Sequence, residues 1–124
     1  AGMPAGEARG VIQQAMSAAC GVYRTAQGLT DCLRRLNELA AQRIGPEPGG
    51  LAGAIESVNL LCVGQLVATA ALARNESRGP HLRFEDGGSL QPVPRDDVRW
   101  QRYIVLRRGA AGVTAEVRDP VRPK

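Results

Sequence analysis

Apolar residues recur at helical spacing in three stretches of the chain. The first runs from Glu7 to Cys20 and carries its apolar side chains on one face. The second begins after Thr25, a residue type that caps helix N-termini. It has a leucine-rich face on one side and a charged face on the other. The third, from Leu51 to Asn75, is apolar almost all round, which is typical of a helix covered on several sides. The pattern therefore predicts a three-helix bundle over residues 7–81.

Glycine and proline mark the ends of these helices. Gly21 ends the first, and residues 45–50, with two prolines and three glycines, form a loop after the second. Gly79 and Pro80 end the third, because glycine tolerates the left-handed conformation of a helix cap and proline prevents the helix from resuming.

The remaining segments are predicted to contain little helix. Residues 1–6 are expected to be a disordered lead or a vector-derived remnant. Residues 82–124 are expected to form an extended polar loop, a short β-hairpin and a tail that packs on the bundle. The hairpin strands are Arg102 to Leu106 and Val113 to Val117, joined through a glycine-containing turn.

Composition supports a mainly α fold. The 124 residues suit one domain, and the aromatic content of 3% requires an aliphatic core, which favours packed helices over a β-sandwich. The formal charge is +4, and all cations but Lys124 are arginine. Arginine suits bidentate contacts with carboxylate or phosphate, although a codon bias would explain the same composition.

Cysteine usage and hydropathy bear on location. Cys20, Cys32 and Cys62 lie on apolar helix faces without a CxxC spacing, so we expect buried free thiols in a reducing cytosol. These thiols with His81 match no known zinc spacing. The N-terminal residues lack a signal-peptide pattern, and the apolar run from Val58 to Leu72 is shorter than the ~20 residues that span a bilayer. We therefore expect a cytoplasmic protein without direct membrane insertion.

Catalytic motifs are missing from the sequence. It contains no dinucleotide-binding glycine motif, no P-loop, no HExxH and no GxSxG, and it has a single histidine. The adjacent Asp96 and Asp97 are expected to be solvated. We therefore predict no catalytic, cofactor-binding or metal-binding residue in this chain.

The turn after the third helix concentrates the polar side chains of interest: Arg74, Glu76, Ser77, Arg78 and His81. Either this turn docks onto something charged or it organises a buried polar corner. In the second reading Arg74 and Arg78 are cations at a helix C-terminus, worth about 0.3–1 kcal/mol each. Glu76 would then pair with a neighbouring arginine, Ser77 with a carbonyl at the helix end, and His81 with nearby backbone.

Three segments of the sequence resemble a known protein family. Gly21-Val22-Tyr23-Arg24 precedes the second helix, Ala70-Ala71-Leu72-Ala73-Arg74-Asn75-Glu76-Ser77-Arg78-Gly79-Pro80-His81 closes the third, and Asp96-Asp97-Val98-Arg99-Trp100 follows. Together they resemble the C-terminal helical domain of the succinate dehydrogenase/fumarate reductase flavoprotein family, which includes L-aspartate oxidase.

The resemblance implies a spectrin repeat-like three-helix bundle packed beside FAD-binding and capping domains. Those domains would bind the FAD and the dicarboxylate substrate, so this chain itself would hold no cofactor. It would be a non-catalytic domain that braces the others within an FAD-dependent oxidoreductase, in the cytoplasm or on the cytoplasmic face of a membrane complex through other subunits. Arg74, Glu76, Ser77, Arg78 and His81 become candidates for inter-domain contacts.

Some features leave the branch and the class open. Pro80, Leu82 and the stretch Phe84-Glu85-Asp86-Gly87-Gly88 depart from the family pattern. The hairpin and tail favour the dehydrogenase/reductase branch, whereas Trp100 to Val105 would also suit L-aspartate oxidase. A basic helical module that binds protein or nucleic acid is the alternative of another class. Interspersed acidic residues and scarce aromatics argue against nucleic acid.

Overall fold

A computed structural model describes residues 2–45 and 50–121. Ala1, the predicted loop residues 46–49 and the tail residues 122–124 lie outside the described part. The helices are α1 (Ala5–Ala19), α2 (Ala26–Ala41), α3 (Leu51–Ala73) and the short α4 (Asp97–Trp100). The strands are β1 (Met3–Pro4), β2 (Arg24–Thr25), β3 (Ile44–Gly45), β4 (Arg83–Phe84), β5 (Tyr103–Gly109) and β6 (Gly112–Arg118).

The three long helices form the predicted bundle, and each packs on the other two. Ile12, Leu29 and Leu36 are at most 1% exposed and anchor an aliphatic core, where each such side chain contributes about 1.5–3 kcal/mol through burial. The prediction that Thr25 caps α2 is confirmed, because its hydroxyl accepts a hydrogen bond from the Gly28 N–H at 3.0 Å. Gly64 lies where α3 meets α1 and α2, and a Cβ there would make an ordinary van der Waals contact, 3.4 Å from Leu36 and from Met16.

Helix α3 is longer than its apolar run indicated. It has 23 residues and a mean hydropathy of 1.6 over its most apolar window of 18, so by length and composition alone it is able to cross a membrane. The length argument against spanning is therefore wrong. In this structure α3 packs on α1, α2 and the hairpin strands, and only 28% of that window is buried.

The prediction that the N-terminal lead is disordered is wrong for residues 2–6. Met3–Pro4 pairs in parallel with Ile44–Gly45, and the Met3 N–H donates to the Arg43 carbonyl at 2.7 Å. Helix α1 starts at Ala5, directly after Pro4, and the Ser57 hydroxyl donates to the Ala5 carbonyl at 3.0 Å. A strand of two residues carries no periodicity, so the hydropathy pattern gave no signal of this order.

Residues 82–102 cross one end of the bundle, and we call this segment the strap. Its strand β4 pairs in parallel with β2, so Arg24 lies opposite Arg83. The Phe84 ring stacks on Tyr23 with centroids 3.8 Å apart. The predicted extended polar loop is therefore wrong at β4, where both residues are buried, and at α4.

The C-terminal hairpin is confirmed. β5 and β6 pair antiparallel from Tyr103 with Arg118 to Gly109 with Gly112, so both strands are longer than predicted. Both strands contact α3, and Arg108 Nη1 lies 3.4 Å from the Cys62 sulfur. The predicted packing of the C-terminal segment on the bundle therefore holds for the hairpin.

All three cysteines carry free thiols. Cys32 is buried as predicted, whereas Cys20 and Cys62 are half-buried. Burial, reinforced by the neighbouring Cys20, raises the pKa of Cys32 to about 11. Thiols with raised pKa values are poor nucleophiles near neutral pH, so this pair has a packing role.

Candidate functional site

Residues 74–81, which we call the corner, begin where α3 ends at Ala73. Arg78 and His81 exchange two backbone hydrogen bonds of 2.8 and 3.0 Å, which closes a tight turn. Gly79 has φ +57° inside this turn. The prediction that Gly79 caps α3 is therefore wrong, although its left-handed conformation is as expected, because the helix has already ended at Ala73.

Glu76 is the centre of the corner and has no exposed surface. Its carboxylate accepts from Arg74 Nη1 at 2.7 Å, from Arg78 Nε and Nη2 at 2.8 and 3.1 Å, and from the Asp96 N–H at 2.9 Å. Burial alone would raise the pKa of Glu76, but these donors together outweigh it and lower the pKa to about 2. The predicted pairing of Glu76 with an arginine is confirmed, with two partners.

The same arginines fasten the strap. Arg74 donates to the carbonyls of Trp100 at 2.9 Å and Arg102 at 2.7 Å, and its guanidinium lies 5.2 Å from the Trp100 ring centre. Arg78 pairs with Asp97 at 2.7 Å, and Arg95 holds the same carboxylate at 2.7 Å. Asp97 is therefore paired rather than simply solvated.

Ser77 and Arg83 form the buried side of the corner. Ser77 Oγ accepts a hydrogen bond from the Arg83 N–H at 3.1 Å. Ser77 therefore bonds the strap, whereas a bond to a carbonyl at the helix end was predicted. The helix end is instead satisfied by Arg83, which is 4% exposed. Arg83 Nη1 donates to the carbonyls of Ala71, Leu72 and Arg74 at 2.9–3.1 Å. No sequence pattern singled out Arg83, because its acceptors are backbone carbonyls.

His81 is hydrogen-bonded to nearby backbone, as predicted for a turn that organises a buried polar corner. Its Nε2 lies 2.9 Å from the Arg74 carbonyl, and its Nδ1 lies 3.1 Å from Arg24 Nη1. Arginine only donates, so Nδ1 accepts and the hydrogen on Nε2 is donated to the carbonyl. Burial, aided by the charges of Arg24, Arg83 and Arg74, lowers the pKa of His81 although the Arg74 carbonyl favours the charged form. His81 is therefore neutral near pH 7.

Arg24 is the second residue for which the sequence predicted no contact. Its Nε donates to the Gly21 carbonyl at 3.0 Å and its Nη2 to the Cys20 carbonyl at 3.1 Å. It thereby satisfies the C-terminal end of α1 while holding His81 in place. Arg24 lies in β2, which pairs with β4 of the strap. This pairing brings the C-terminal ends of α1 and α3 together.

An open cavity of about 340 Å³ lies beside the corner, and we call it the basic pocket. Its polar rim is formed by Arg24, Arg74 and His81. Its apolar wall includes Val67 and Ala70 from α3 and Ile104 from the hairpin. The structure thus places Arg74 and His81 at a surface cavity, whereas Glu76 and Ser77 are buried and Arg78 bonds inward.

The polar side chains of the corner are largely engaged in internal hydrogen bonds. Its one histidine has a carbonyl and a guanidinium as partners, so it lacks the carboxylate that orients a general base. Within residues 2–45 and 50–121 there is no cluster of three metal-binding side chains. Glu76 is fully occupied by its donors and offers no free oxygen to a substrate.

Comparison with known proteins gives these features a family. Residues 49–122, more than half of the chain, match the family described as Fumarate reductase flavoprotein C-term. The chain belongs to this family. The bundle, the corner and the hairpin are thus the C-terminal domain of a flavoprotein of the succinate dehydrogenase/fumarate reductase type, as the resemblance implied.

Individual relatives agree. The chain is 38% identical to L-aspartate oxidase of Streptomyces coelicolor over 82% of its own length and 17% of that protein. It is 33% identical to the fumarate reductase flavoprotein subunit of Escherichia coli over 81% of its length and 17% of the subunit. A solved structure of E. coli quinol fumarate reductase superposes with a TM-score of 0.76 at 29% identity, over 93% of this chain and 20% of that one. The chain therefore spans about a fifth of these relatives.

Proposed function

We propose that this chain is the non-catalytic C-terminal domain of an FAD-dependent oxidoreductase that acts on a small dicarboxylate, and that it braces the FAD-binding and capping domains. The supporting observation is the exposed apolar face of α3. Leu51, Ile55 and Val58 share one side of this helix and are 50–69% exposed. Val63 and Val67 are 54% and 41% exposed and lie about a third of a turn away from them. Apolar surface concentrated on one helix marks an interaction surface.

The corner contributes rigidity to this brace. Glu76, Ser77 and Arg78 act from inside, because they lock the strap and the end of α3 into one unit. Arg74 and His81 present the outer side of that unit at the basic pocket. Of the five residues first assigned an inter-domain role, we therefore propose Arg74 and His81 for direct contact, because both line the open basic pocket.

The chemistry of the parent protein would lie outside this chain. The sequence has no glycine motif for a flavin pyrophosphate, so we assign FAD and the dicarboxylate to the other domains. Free thiols fit a cytoplasmic location. We propose no direct membrane insertion, because α3 already packs on α1, α2, β3 and both hairpin strands and would use its remaining face for the flavin-bearing domains.

L-aspartate oxidase is the specific branch that we propose as the second candidate. The identity of 38% to the Streptomyces enzyme over 109 residues supports it, against 33% to the E. coli fumarate reductase subunit. Assaying the parent protein with L-aspartate and with succinate, and following flavin reduction, separates the two. Reduction by succinate alone would exclude the oxidase branch.

A nucleic-acid module is disfavoured by the surface charges. Exposed arginines pair with neighbouring acids, as in Arg34 with Glu38 at 3.3 Å and Arg102 with Asp119 at 2.9 Å. Acidic partners of this kind interrupt the run of positive charge that a phosphate backbone would need. We propose that the domain binds no nucleic acid.

The brace is tested by placing a charge on the apolar face. Ile55→Glu in the parent flavoprotein should lower retained FAD and turnover, because a carboxylate would be buried at the docking surface. The same substitution in the 124-residue chain should leave its urea midpoint unchanged, since Ile55 is 51% exposed there. Glu56→Gln, the adjacent exposed position, serves as the control. Normal FAD content and turnover with Ile55→Glu would exclude this face as the brace.

A further inference from the structure

Positive charge accumulates around the corner without matching carboxylates. Within ion-pair distance, the described residues provide only the carboxylates of Glu76 and Asp97 to the arginines of this region. Those arginines are Arg24, Arg74, Arg78, Arg83 and Arg95. Five guanidinium groups thus share two carboxylates within ion-pair distance.

Two of these arginines account for most of the imbalance. Arg24 and Arg83 have carbonyl and imidazole partners but no carboxylate in the part of the chain that the structure describes. Both are at least half removed from water, and Arg83 is 4% exposed with its Nε unpartnered. Carbonyl dipoles offset only part of a guanidinium charge, so a nearby anion would stabilise the pair further.

The basic pocket is one place at which this charge reaches the surface. Arg24 and Arg74 line it, and each keeps donors beyond its internal bonds. Arg24 uses three of its five N–H groups, and Arg74 uses Nη1 and Nη2 but not Nε. Neutral His81 contributes no opposing charge, and Val67 with Ile104 supplies an apolar wall.

We infer that the basic pocket receives the carboxylate of an aspartate or glutamate side chain carried by the remainder of the parent flavoprotein. The inference rests on the proposed function and names the chemistry of its partner at this surface. Guanidinium groups hold carboxylates through paired, charge-assisted hydrogen bonds, and the apolar wall would pack on the methylene groups of such a side chain. The pocket is open and continuous with exposed Val67 on α3, which fits a residue presented by a docked domain.

The length of the relatives makes that partner available. The chain corresponds to only 17–20% of the flavoproteins that it matches, so most of a parent protein lies outside it. An acidic residue docked here would neutralise part of the excess charge. It would also fix the orientation of this domain relative to its partner, because an ion pair forms at one defined position. Apolar surfaces attract each other without specifying such a position.

Carbodiimide coupling in the parent protein tests the inference. Arg24→Lys keeps the positive charge and introduces a primary amine into the pocket, and a zero-length reagent joins that amine to a carboxylate in contact with it. Arg35→Lys is the matched control, because Arg35 is a half-buried arginine of α2 outside the pocket. The only lysine of this chain is Lys124, so native amines in it give little background.

We expect peptide mass spectrometry to find an amide between position 24 and an aspartate or glutamate outside this domain. Its yield should exceed that of the control by roughly tenfold, because contact raises the effective concentration of the carboxylate. No such link in the folded protein, or a link to a different polypeptide, would overturn the inference. If Arg24→Lys fails to fold, Ile104→Lys places an amine on the opposite wall of the pocket and is judged by the same links.

Deleting the domain separates this inference from the proposed function. If the truncated parent keeps its FAD and turnover, the brace itself is wrong. If truncation releases FAD while positions 24 and 104 give no link to the flavin-bearing domains, the brace stands and the carboxylate partner is wrong.

Discussion

Replacing Glu76 by glutamine removes one charge from the corner without changing its shape. Glu76 is completely buried, and Arg74 and Arg78, whose side chains are 16% and 29% exposed, would keep their charges after the substitution. The glutamine amide also places an NH₂ group, which is a hydrogen-bond donor, against arginine N–H groups that need an acceptor. Glu76→Gln should therefore leave two guanidinium groups poorly compensated and loosen the strap.

The same contacts give the size of this effect in two ways. Breaking a buried ion pair by removing one partner costs about 3–5 kcal/mol, and the partial exposure of both arginines reduces this to about 2–4 kcal/mol. The pKa of Glu76, lowered from 4.5 to about 2, corresponds to about 3 kcal/mol of preferential stabilisation of its charged form. The two values agree, and for a domain of this size they correspond to a fall in Tm of about 10 °C.

Urea unfolding of the 124-residue chain measures the loss. Circular dichroism follows the helices, while fluorescence of Trp100, the only tryptophan, follows the strap because its ring lies against Arg74. Glu38→Gln is the control, since it makes the same chemical change at an exposed pair with Arg34 worth about 0.5 kcal/mol. A Glu76→Gln variant as stable as Glu38→Gln would refute the account of the corner.

Three further predictions are tested by urea unfolding. Since folding lowers the pKa of Glu76, its contribution is complete above pH 4.5 and is lost as the pH falls toward 2; Glu76→Gln should show about 3 kcal/mol less acid sensitivity, and equal sensitivity would contradict the assignment. Arg83→Met removes the donor to three carbonyls at the end of α3 and should cost about 1–3 kcal/mol, whereas a more stable variant would show that its buried charge outweighs those bonds. Gly79→Ala should cost about 1 kcal/mol because φ is +57°, while Gly10→Ala on open helix surface should add about 0.5–1 kcal/mol; equal effects would argue against the turn conformation.

The elements with a repeating pattern were predictable from sequence. Three amphipathic or apolar stretches, the Thr25 cap and the alternating strands of the hairpin each rest on local chemistry that a few neighbouring residues determine. The pairing of Glu76 with arginine was equally accessible, because opposite charges lie two residues away on either side.

The parts that were missed depend on contacts between distant segments. Arg24 and Arg83 bond mainly to backbone carbonyls, which every residue possesses, so no residue type nearby announces the partner. The strands Met3–Pro4 and Arg83–Phe84 are too short for periodicity and exist only because the bundle brings their partners within reach. Sequence therefore located the corner but not the arginines that complete it.

The pairing of β2 with β4 has a kinetic consequence. It joins the link before α2 to the segment after α3, about 60 residues apart in sequence, and closing so long a loop is entropically costly until both helices have packed. The strap would thus attach after the rate-limiting step of folding and detach before the bundle opens. Substitutions in the strap should then accelerate unfolding while leaving the folding rate nearly unchanged, so the corner acts as a latch that sets the lifetime of the folded domain.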